Sequence, residues 1–134
     1  MFFAWDITVS ANTAEASPKT QILKLSKGVI TRADIKFPSG CHGMVKVRLF
    51  RWEAQLVPLS RDEWVTGDGE TVKTEAYYEL VEMPYQLKFV GASPGTNYDH
   101  TITVRVTVLP KAVATFMPLV NILTKFFKRI GVIR

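Results

Sequence analysis

The residues of this chain that could do chemistry are few. His42 and His100 are the only histidines and Cys41 the only cysteine among 134 residues. A thiol nucleophile needs a base within hydrogen-bond reach, and adjacent residues on a strand or turn point apart, so Cys41 and His42 are not expected to form a dyad. His42 and His100 would have to converge with carboxylates, such as Asp99 beside His100, to act as acid–base or metal-binding groups. Nothing in their spacing requires it, and they read as loop histidines near strand ends. The run DEWVTGDGE gathers Asp62, Glu63, Asp68 and Glu70, the oxygen donors that calcium prefers. It lacks the alternating ligands and terminal glutamate of an EF-hand loop, and Gly67-Asp68-Gly69 reads as a tight turn. Phosphate-cradling glycine loops, serine elbows and paired-carboxylate motifs are absent from the sequence. The expectation is a protein that is not an enzyme, with no cofactor and no metal.

Aromatic side chains offer a different chemistry. Trp52, Trp64, Tyr77, Tyr78, Tyr85 and Tyr98 include candidates for a sugar-stacking platform, because such rings combine an apolar face with a polar tip. Trp52 and Trp64 are the pair to test for carbohydrate. Surface aromatics serve protein interfaces equally well.

These groups must be positioned by strands. In FAWDITV, Phe3, Trp5, Ile7 and Val9 fall on one face and Ala4, Asp6 and Thr8 on the other, the period of a half-buried strand. VITRADIKF predicts another, with Val29, Thr31, Ala33, Ile35 and Phe37 on one side. MVKVRLFRW sets Val45, Val47 and Leu49 against Lys46 and Arg48, and the turn signals around Gly40 suggest a hairpin between these two segments. QILKLS, AQLVPL, PYQLKFVG and TITVRVTVL complete the strand candidates, with Pro58 ending AQLVPL or placing it at an edge. TVKTEAYYELVE has an ambiguous period. Seven or eight short strands without intervening helices exclude a parallel α/β sheet. They predict an all-β antiparallel sandwich over residues 1–110, jelly-roll-like in its uneven connections.

The remainder, residues 111–134, is an apolar and basic arm. Of 17 basic residues, five (Lys111, Lys125, Lys128, Arg129 and Arg134) lie in it with no acidic partner, leaving 12 basic and 12 acidic residues in the body. A neutral body argues against a nucleic-acid-reading face. Pro118 and Gly131 bracket a predicted amphipathic helix, proline at a first turn and glycine at a left-handed cap. On a helical projection Leu119, Val120, Ile122, Leu123, Phe126, Phe127 and Ile130 share an arc of about 160°, and Lys125, Lys128 and Arg129 fall on the other side. That stripe has three candidate partners: its own sandwich, a neighbouring subunit, or a membrane surface with the cations toward headgroups. It is too short to span a bilayer, which takes ~20 apolar residues.

One cysteine excludes an internal disulfide and fits a reducing compartment. MFFAWDITVS has no basic n-region and Asp6 interrupts its apolar run, so it does not read as a signal peptide.

The strand pattern of residues 3–109, with loops such as SANTAEASPKT and ASPGTNYDH, resembles that of small β-sandwich or jelly-roll structural proteins of virus and phage particles. The resemblance implies a non-enzymatic component repeated many times in a shell or its decoration, located in the virion. The expected partners are copies of itself or other particle proteins, met through the C-terminal arm. The alternative is a surface-binding module for carbohydrate or a membrane interface, cytoplasmic if the viral reading fails.

Overall fold

A computed structural model describes residues 1–58, 60 and 62–111. The predicted helix from Pro118 to Gly131 lies outside the described residues. Within them the elements are nine strands: β1 (Phe2–Val9), β2 (Lys19–Lys24), β3 (Gly28–Lys36), β4 (Lys46–Arg51), β5 (Ala54–Val57), β6 (Val65–Thr66), β7 (Thr71–Leu80), β8 (Gln86–Ala92) and β9 (His100–Leu109). One sheet has the order β1-β9-β3-β7. The other has the order β2-β8-β4-β5, with β6 pairing β4 beyond the end of β5. All pairings are antiparallel.

The two sheets form a β-sandwich around one apolar layer. Ile7 and Val9 of β1, Ala33 and Ile35 of β3, and the row Ile102, Val104, Val106, Val108 of β9 meet Val47 and Leu49 of β4 and Leu87 and Phe89 of β8. None of these is more than 2% exposed. Alternation along each strand produces this outcome, because every second side chain leaves the sheet on the same side.

Three sequence expectations need correction. There are nine strands rather than seven or eight: TVKTEAYYELVE supplies the ten-residue β7, and β6 is a two-residue bridge too short to announce itself. β3 and β4 are not a hairpin, since β3 pairs β7 and β9 while β4 pairs β5, β6 and β8; the connection through Gly40 passes from one sheet to the other. Finally, β3 shifts register between Ile30 and Arg32 against both neighbours. The irregularity brings Ile30 into the core cluster and leaves Thr31 half-buried, whereas uninterrupted alternation would have placed Val29 and Thr31 there.

The inward row of β4 continues past Leu49 to Arg51, which is 3% exposed. Its guanidinium donates to the carbonyls of Pro84 and Gln86 through Nη1 and to that of Glu82 through Nη2 at 2.7 Å. A planar fork of donors suits a cluster of carbonyls that the turn from β7 to β8 leaves without strand partners. Arg51→Met should therefore lower the unfolding free energy by about 2–3 kcal/mol, the cost of stranding buried acceptors. Phe2→Ala, at a side chain 64% exposed, should change it by less than about 0.5 kcal/mol. Urea denaturation followed by tryptophan fluorescence measures both.

Candidate functional site

Register places four connections at the same end of the sandwich: residues 10–18 after β1, 37–45 after β3, 67–70 after β6, and 93–99 before β9. They are tied in two pairs. In the first, Ser93 Oγ donates to the Ser10 carbonyl (2.7 Å) and accepts from the Thr13 amide (3.2 Å). Asn12 and Thr96 add to it, since the Asn12 amide donates to Thr96 Oγ1 (2.9 Å) and the Gly95 amide to Asn12 Oδ1 (2.8 Å). The Ala11 amide donates to Asp99 Oδ1 at 2.7 Å. Asn12 sits at φ 52°, a conformation that asparagine tolerates better than most residues.

The second pair joins residues 37–45 to 67–70. The Phe37 amide donates to the Glu70 carbonyl (2.8 Å) and the Gly69 amide to the Pro38 carbonyl (3.2 Å). Asp68 completes it, taking the Gly40 amide on Oδ1 at 2.9 Å and facing His42 Nδ1 at 3.6 Å with Oδ2. Gly67-Asp68-Gly69 is thus a turn in which Asp68 braces the opposite loop.

Between the two pairs lies a cleft of about 610 Å³, lined on one side by residues from Pro38 to Met44 and on the other by residues from Gly95 to Thr101. Its volume falls in the usual range for small-molecule sites. His42 and His100, 58 positions apart in the chain, both line it. They do not form a metal centre: among the described residues no group of three or more His, Cys, Asp or Glu is placed to hold an ion. His42 is exposed, at φ 50°. His100 is the opposite case. It opens β9 in the inward row of Ile102 and Val104, is 9% exposed, and its Nδ1 is buried with no hydrogen-bond partner. A buried polar atom left unpaired costs about 1–3 kcal/mol. Tyr98, 76% exposed, stands on the same loop and lines the cleft.

Cys41 and His42 diverge as expected: Cys41 packs in the core with no exposed surface, while the His42 side chain is 70% exposed. Trp52 and Trp64 lie apart from the cleft. Trp64 lies under the guanidinium of Arg48, 3.8 Å from the ring centroid, and Trp52 under that of Arg51 at 4.0 Å. Each tryptophan thus has one face occupied by a cation. The arm residues Leu119, Val120, Ile122, Leu123, Phe126, Phe127, Ile130, Lys125, Lys128 and Arg129 lie outside the described residues. Sequence reasoning missed Asn97, Tyr98 and His100 as neighbours of His42. The available signal was the length and polarity of ASPGTNYDH, which marks a loop without saying what it faces.

No family model and no curated protein sequence matches the chain. Among solved structures, the mitogen derived from Yersinia pseudotuberculosis is similar over 81% of this chain and 86% of its own, at 10% sequence identity and a TM-score of 0.42. A likeness at that level carries nothing about function.

Burial raises the pKa of the Cys41 thiol, and the charge of Asp68 raises it further, so the reactive thiolate is scarce at neutral pH. Maleimide should label Cys41 in the folded protein more slowly than in urea-unfolded chain by on the order of a hundredfold or more. Equal rates, followed by mass spectrometry, would contradict this placement.

Proposed function

We propose that this chain is a non-enzymatic structural protein, a jelly-roll subunit that assembles with copies of itself within a larger particle such as a virion. The strand order supports the jelly roll. β1-β9-β3-β7 faces β2-β8-β4-β5, so each sheet interleaves early and late strands, as rolled-up Greek keys do.

The observation that carries the assembly reading is the end of the sandwich opposite the cleft. There Trp52, Val81 and Met83 are 57%, 51% and 76% exposed. Glu79 and Glu82 adjoin Trp52 and Val81 around one shallow recess, and Glu53 follows Trp52 in the turn between β4 and β5. The chain leaves β9 beside this patch, and its first arm cation, Lys111, already pairs with Glu79 at 3.4 Å. The rest of the arm is apolar and basic without an acidic residue. An acid-edged apolar patch complements such a segment in both respects. We assign the patch to the arm of a neighbouring copy. Seven large apolar side chains at ~1.5–3 kcal/mol each are enough to offset an association cost of ~4–15 kcal/mol.

Truncation after Lys111 should convert an oligomer to a monomer in analytical ultracentrifugation. Reversing the patch with Glu79→Lys and Glu82→Lys in the full chain should weaken assembly by about tenfold or more. A full chain that is already monomeric, or a truncated one that keeps its oligomeric state, would sink the proposal. Flotation of the full chain with anionic liposomes, lost at high salt, would instead favour the membrane reading.

A further inference from the structure

We infer that the cleft between the two loop pairs is a binding site for a neutral saccharide. The inference is independent of assembly, because the cleft and the acid-edged patch lie at opposite ends of the sandwich.

The central observation is His100. A side chain more than nine-tenths buried lines the cleft with an unpartnered ring nitrogen, Nδ1, in a loop end where Ser93 and Thr96, the other buried polar residues there, are fully engaged. Such a group calls for a hydrogen-bond partner from outside the chain. A neutral imidazole has one donor and one acceptor nitrogen, and a hydroxyl group serves either tautomer because it can donate or accept.

The lining then selects the chemical class. It contains no lysine or arginine, and its carboxylate, Asp99, already takes the Ala11 amide. An anion would find no dedicated countercharge there, and a metal ion would find no set of ligands. What the cleft presents is neutral and polar: Ser39, Asn97 and Thr101, beside the exposed ring of Tyr98. An aromatic face next to amide and hydroxyl groups matches the alternating C–H faces and hydroxyl edges of a sugar ring. The walls are held in advance, since the loops bearing them are cross-bonded to their neighbours by Ser93, Thr96, Asn12 and Asp68. A site that needs little ordering loses little affinity on binding.

The test uses the full chain on an array of neutral oligosaccharides terminating in glucose, galactose, mannose or N-acetylglucosamine. The best ligand is then titrated into isotopically labelled protein, with inorganic phosphate as the comparison. Expected are saturable shifts of the His100 ring and of residues 95–101, and a dissociation constant about tenfold weaker in Tyr98→Ala. That variant alters only an exposed side chain. His100→Phe, which fills the same space without nitrogen, should weaken binding as well, and its folding is checked by its amide spectrum. The inference is overturned if no neutral glycan is retained, if the shifts map away from the cleft, if Tyr98→Ala binds as tightly as the parent, or if phosphate proves the better ligand.

Discussion

Packing the inner faces of two sheets against each other obliges the chain to cross between them at both ends of the core. Each strand except β4 and β5 is followed by one in the opposite sheet. Every crossing carries backbone amides and carbonyls over the edge of an apolar layer, where strand pairing cannot satisfy them. The ends of the sandwich are therefore where polar side chains must be buried, and both notable surfaces of this molecule arise there.

At one end the solution is a set of short side chains. Ser93, Thr96, Asn12 and Asp99 accept or donate in place of the missing strand partners, and Asp68 does the same for the loop through Gly40. Because the loops are bonded in pairs, a cleft is left between the pairs, with His100 at the point where the inward row of β9 meets it. At the other end one long side chain serves. Arg51 gathers three carbonyls of the turn from β7 to β8 and so holds Val81 and Met83 outward, near Trp52. The same structural demand yields a polar recess at one end and an apolar, acid-edged patch at the other.

The two surfaces suit different partners. The patch is shallow and apolar, the kind of surface that proteins cover with other protein. The cleft is larger, polar and uncharged by cations, and it is framed by loops rather than strands, where ligand sites are commonly found. A subunit that assembles through one end and binds a glycan through the other would present the second outward from its assembly.

What the sequence by itself determined was local. Alternation placed Ile7, Val9, Val47, Leu49 and the valines of β9 inward, because strand geometry has a period of two whatever lies opposite. It also fixed the neutral body and the basic arm, which are matters of composition along the chain. Tertiary structure alone decided which strands share a sheet, so the expected hairpin at Gly40 became a crossing. It decided the bulge that moves Ile30 inward, which depends on the register of two partners. It also brought His42 and His100 to one cleft and turned Arg51 into a clamp. Those outcomes rest on pairings between residues tens of positions apart, and short-range periodicity carries no information about which distant edge a strand will meet.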